Sequence, residues 1–287
     1  MLHKLHHDSR WDARLVTHEH RHHVQNADLT LVMRVFFERI NPLGGIYTDG
    51  TKRIRGSRWT DHKFEKLCRL IEQVSEKHWS GKFWLKTPDD YTDLRYTKAG
   101  VSIQPNIYCK FNLRRVLSAS RAQYRFSLRN IDRDQFYRSG VTQHTDGTPH
   151  EGDFDSNDVF LGRSKTDASG NIVLDSRGNT IRQIPIVHEL GHALGENHTC
   201  YYEPIAGIQR SAGNFNSKDE YCSPDSLTGI IGRITHNEQY DTTMAGGMRM
   251  RTQDAFAWQE AMQHLTSVSS SKWGATMSWI RPTEIIL

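Results

Sequence analysis

Between Leu29 and Phe37 every second residue is apolar (Leu29, Leu31, Met33, Val35, Phe37), which is the two-residue period of a β-strand with one buried face. The run ends at Asn41, Pro42, Gly44 and Gly45, a cluster of turn residues. Thr60 or Asp61 can then cap a helix whose Phe64, Leu67, Ile71 and Val74 share one face and which ends near Gly81. Phe83, Trp84 and Leu85 suggest a second strand. Strand, helix, strand opens a layered domain. Two further alternating runs follow, Ile107, Cys109, Phe111 and Leu113, then Tyr124, Phe126 and Leu128. A chain of 287 residues can bury a real core in one domain or two small ones without disulfides or a metal.

The composition, 36% hydrophobic and 24% charged, is that of a soluble globular protein and excludes disordered, collagen-like and coiled-coil chains. No apolar run approaches the roughly 18 residues of a membrane span. No apolar signal core opens the sequence, which leaves three expectations: a cytoplasmic protein, a mature secreted form already trimmed, or cargo of a signal-independent route. Residues 1–27 carry seven of the sixteen histidines among charged residues, without a sustained apolar period, and read as a solvated His-rich extension. The remaining residues, 28–287, read as one domain with an upper part to about 195 and a lower part over 196–287.

The net charge of +4 hides an uneven distribution. Residues 95–138 hold ten Lys or Arg against two Asp, whereas residues 139–200 hold nine acidic against four basic residues. The basic stretch is in phase with the polar faces of strands, so it reads first as solvated surface and second as a surface for an acidic partner. No nucleic-acid motif accompanies it, and nucleic acid is not the expected partner. The internal echo DASGNIVL and DSRGNTIR over residues 167–182 reads as a turn-rich hairpin. Of four cysteines, Cys68 and Cys109 lie in apolar patterns and are expected as buried thiols, while Cys200 and Cys222 flank a polar loop and could pair in an oxidising compartment.

The chemistry concentrates in IPIVHELGHALGENH, residues 184–198. Pro185 can begin a helix with Ile186, Val187, Leu190 and Leu194 on its apolar face. His188 and His192 then project from one side, one turn apart, and can reach one ion at about 2.0–2.1 Å. A third ligand at His198 requires the helix to stop first, because a continued helix would carry it about 120° away from His192. Gly195 supplies the stop, since it can take the left-handed conformation that turns the chain back. Glu189 points about 100° from His188 and is placed as general base rather than ligand. Zinc is the ion this donor set suits.

His188, Glu189, His192, Gly195 and His198 together resemble the motif of the metzincin zinc proteases, and Tyr-Asp-Thr-Thr-Met-Ala-Gly with Met244 resembles their methionine turn. The resemblance implies an α+β, metzincin-like zincin fold. Such a fold has a mixed twisted sheet and an active-site helix above a cleft, over a mostly irregular lower part closed by a C-terminal helix. Ala255, Trp258, Met262 and Leu265 give a helical face in the right place for that last helix. It further implies one catalytic Zn2+ held by His188, His192 and His198, with Glu189 activating water against a protein or peptide substrate. A secreted effector or toxin protease fits this reading. Some metzincins carry a Tyr two residues after the Met, where this chain has Gly246. Tyr240, Tyr201 and Tyr202 are therefore the candidates for oxyanion stabilisation. The first 60 residues contain no cysteine, so no cysteine-switch segment is expected there. Two alternatives remain open at this level: a zinc hydrolase of a non-peptide amide, and a binder of nucleic acid or acidic surfaces through residues 95–138.

Overall fold

The computed structural model describes residues 3–18, 25–98, 100–162, 172, 174, 178–196, 242–244, 247–278 and 285–286. These fall into two units, residues 1–156 with 251–287, and residues 157–250. The fold mixes α and β, with a central mixed sheet and few helices among the described residues, which is compatible with the α+β class.

The first unit is built around β3 (Gln25–Ile40), whose alternating Ala27, Leu29, Leu31, Met33, Val35 and Phe37 are buried as the sequence period demands. Its neighbour β9 (Asn106–Arg115) runs parallel, with Leu29 beside Cys109, Leu31 beside Phe111 and Met33 beside Leu113. One apolar face therefore continues across both strands. On the other edge β3 is long enough to hold two strands in succession. Residues 27–32 pair antiparallel with β2 (Asp12–Thr17), and residues 35–40 pair parallel with β10 (Tyr124–Arg129). Beyond β10 come β12 (His150–Asp155), parallel, and β11 (Gly140–Thr142), an antiparallel edge strand. Past β9 lie β6 (Phe83–Lys86) and β13 (Gly274–Met277), both antiparallel to their neighbours.

Between β3 and β6 runs α1 (Asp61–Trp79), whose first turn is capped by the Thr60 hydroxyl accepting from the Lys63 amide at 3.3 Å. Its buried face holds Phe64, Leu67, Cys68, Ile71 and Trp79. The expected late helix is α2 (Phe256–Thr266), where Trp258 is buried and donates from Nε1 to the Lys110 carbonyl on β9 at 2.9 Å. Burying each such large side chain contributes about 1.5–3 kcal/mol. Cys68 and Cys109 are free and buried, as expected, and burial pushes the Cys68 thiol up to about 12.

The N-terminal residues correct the expectation of a solvated arm over 1–27. Residues His3–His7 form β1, which pairs with β2, and β2 joins the main sheet through β3. Trp11, Ala13 and Leu15 have no exposed surface. The inward positions of β2 are Ala13, Leu15 and Thr17, too small and too few to stand out among Asp12, Arg14 and the histidines. They are buried because the free half of the β3 edge needs backbone partners. Residues 251–287 belong with the first unit.

The second unit contains the helix α3 (Pro185–Ala193), together with the segments 158–162, 178–184, 242–244 and 247–250. Leu174 and Thr180 bridge antiparallel, with Gly178 between them at φ +80°, in keeping with a turn at the second echo.

Candidate metal centre

Pro185 occupies the first turn of α3, where its missing N–H costs nothing. The Asp158 carbonyl accepts from the Ile186 amide at 3.2 Å. Ile186, Val187, Leu190 and Leu194 are fully buried, so the apolar face expected from the sequence anchors the helix. At the other end Gly195 has φ +98°. Its amide donates to the His192 carbonyl and the Glu196 amide donates to the Gly191 carbonyl, both at 2.9 Å. That pair of bonds is a Schellman motif, and it ends the helix where the sequence required an end.

The turn has a second effect. It delivers the Glu196 carbonyl to Nδ1 of His192 at 2.9 Å. A carbonyl only accepts, so Nδ1 carries the proton and Nε2 keeps its lone pair. His188 Nδ1 also lies close to a backbone carbonyl, that of Thr243 in a distant segment, at 2.7 Å. Gln183 Nε2 lies 2.7 Å from the same Nδ1 and 2.8 Å from the same carbonyl. When Nδ1 donates to Thr243, the Gln183 amide takes the second lone pair of that carbonyl, and His188 Nε2 is left as an acceptor. Burial, partly offset by the bond to Glu196, holds His192 below its ordinary pKa, which keeps it neutral.

The two Nε2 atoms face each other at 3.2 Å. A tetrahedral ion with nitrogens at about 2.0–2.1 Å spaces two of them about 3.3 Å apart. The separation suits a shared cation when His188, like His192, carries its proton on Nδ1. Carbonyl partners behind metal-ligating imidazoles are the usual support of a zinc site. His188 and His192 are thus brought together. Glu189 follows His188 on the helix and is half-buried.

Met244 is fully buried in a turn that also buries Thr242 and Thr243. The Gly247 amide closes that turn on the Thr242 carbonyl at 2.9 Å, and the Thr243 amide bonds the Arg249 carbonyl at 3.0 Å. The methionine segment therefore contacts α3 through a backbone atom one residue before Met244. His198, Tyr201, Tyr202, Tyr240, Gly246, Cys200 and Cys222 lie outside the described residues. Gln183, the Thr243 carbonyl and the Glu196 carbonyl escaped sequence reasoning. Backbone acceptors have no side-chain signature, and only the nearness of Gln183 to Pro185 and of Thr243 to Met244 could have pointed to them.

Four of the ten basic residues of the stretch pair with carboxylates within the first unit. Arg115 makes a bidentate pair with Glu65 at 2.6 and 2.9 Å, and Arg125 another with Glu38 at 2.8 and 2.7 Å. Lys110 meets Asp28 at 2.8 Å, and Arg129 meets Asp153 at 2.6 Å. Arg114 and Arg121, with Arg34, line a cavity of about 390 Å³. No described helix is long and apolar enough to cross a membrane. No protein-family model, curated protein or solved structure matches the chain.

Proposed function

We propose that the chain is a zinc-dependent endopeptidase of metzincin-like fold, with His188, His192 and His198 as metal ligands and Glu189 as general base. The observation that carries this reading is the pair of Nε2 atoms 3.2 Å apart, with a backbone carbonyl behind the Nδ1 atom of each ring. Gly195 supports it further, since its left-handed turn leaves the chain heading away from the helix three residues before His198.

Bound there, zinc supplies a Lewis acid that lowers the pKa of a water to about 7 and polarises the scissile carbonyl. The protein does the rest. The Thr243 and Glu196 carbonyls keep the two rings from rotating, so no reorganisation is needed when substrate arrives. Glu189 takes the proton of the attacking water and passes it to the leaving amine, a role that the half-buried carboxylate one residue from His188 suits. A protein or peptide is the substrate in this reading, Tyr240, Tyr201 and Tyr202 being the candidates to stabilise the oxyanion. Cleavage of an unbiased peptide library tests it: the parent cuts, a chelator stops cutting, and zinc restores it. A library left intact by the zinc-loaded protein would contradict the reading and favour a non-peptide amide.

A further inference from the structure

The first unit carries a second group of metal-ligating side chains that has no part in the proposed peptidase chemistry. His6 stands on β1, Asp8 on the turn into β2, and His264 in the last turn of α2. One ligand atom from each lies within 4.8 Å of the other two. The His6 and His264 rings stack with centroids 4.4 Å apart and planes 6° from parallel, beside the indole of Trp11. His6 Nε2 is buried and meets no hydrogen-bond partner. Buried ring nitrogens are ordinarily satisfied, so one left bare at the meeting of three ligating side chains calls for an explanation.

We propose that His6, Asp8 and His264 form a second divalent-metal site that takes a first-row ion of the zinc, nickel or copper kind. Two imidazoles and a carboxylate suit such ions better than calcium or magnesium, which prefer oxygen. The surroundings are arranged to permit it. Oδ1 of Asp8 is taken by the Arg10 amide at 2.9 Å and by Arg10 Nε at 3.3 Å, which leaves the other carboxylate oxygen for an ion. Arg10 is itself neutralised on its far side by Glu260 on α2 at 2.8 Å, so its charge opposes an incoming cation less. Burial, then the neighbouring His264, keep the His6 ring below its usual pKa and neutral near pH 7.

Stacked rings point their lone pairs side by side rather than at one another. Closing on an ion therefore takes a turn of the His264 ring, which is exposed at the end of its helix. The three donors then contract to the roughly 3.3 Å spacing of tetrahedral ligands, with water completing the set. An ion so held would fasten the edge strand β1 to α2, adding to the Lys4 ammonium that already donates to the Leu265 carbonyl at 3.2 Å. His3 and His7 are excluded from the group because the strand period turns them to the opposite, exposed side.

The proposal does not depend on the peptidase reading, and the test separates the two. Zinc is titrated calorimetrically into the full chain and into a His188→Ala/His192→Ala variant that lacks the helix pair. The full chain should bind two ions and the variant one. In both, His264→Ala should weaken the second site at least tenfold, His6→Gln should do the same, and His3→Ala and His7→Ala should leave it unchanged. Far-UV circular dichroism of each variant confirms that the sheet is intact. Zinc binding unaltered by His264→Ala, or weakened equally by His3→Ala and His7→Ala, would overturn the proposal.

Discussion

Nδ1 of His188 and the backbone carbonyl of Thr243 lie 2.7 Å apart although 55 residues separate them in the chain. This contact joins α3 to the turn that carries Met244, and in the proposed zinc site it would leave Nε2 of His188 to face the ion. Gln183 shares both ends of it.

Removing that shared partner should loosen the ligand without removing it. Gln183→Ala is expected to weaken zinc binding by about 10- to 100-fold, the usual effect of losing support behind a ligand. Competition against a chromophoric chelator measures this, and folding should change little.

Gly195 is constrained by its φ of +98°. Gly195→Ala should cost about 1–2 kcal/mol in unfolding free energy, because a Cβ is strained in the left-handed region. It should also weaken zinc binding, since the Glu196 carbonyl behind His192 is placed by the same turn. Gly195→Asn should suffer less on both counts. Denaturant unfolding with and without zinc separates the two effects.

Met244 is fully buried. Met244→Ala should destabilise by about 2–5 kcal/mol and Met244→Leu by less than about 1.5 kcal/mol. If the side chain serves packing, Met244→Leu retains zinc and activity.

The acid limb of the stability curve should contain a contribution from His78, at the end of α1. Burial, with Lys82 nearby, holds its pKa down at about 4 against an ordinary 6.5. Below about pH 6.5 the unfolded chain takes up a proton at this position that the folded chain refuses, so stability falls as pH drops from 6.5 towards 4. The loss is on the order of 3 kcal/mol across that window. His78→Gln should flatten the limb by that amount, as read from urea midpoints at pH 7 and pH 4.5.

The elements legible in the sequence were those whose burial follows from their own pattern. The alternation from Leu29 to Phe37, the Thr60 cap with Phe64, Leu67 and Ile71, and the Pro185 start of the metal helix each became the element expected. The strand Asp12–Thr17 was not legible, because its burial comes from the half of the β3 edge that β10 leaves open. The site divides likewise. The spacing of His188, His192 and Gly195 encodes two ligands and the helix end. The carbonyls of Thr243 and Glu196 that orient those ligands belong to the backbone, and their placement is a property of two turns rather than of any side chain.

The most direct test of the central claim is the Glu189→Ala variant, compared with the parent for zinc content, unfolding midpoint and cleavage of the same peptide library. Zinc and stability should be retained while cleavage falls by at least a hundredfold, as expected for loss of a general base. A variant that holds zinc and still cuts at the parent rate would contradict the account.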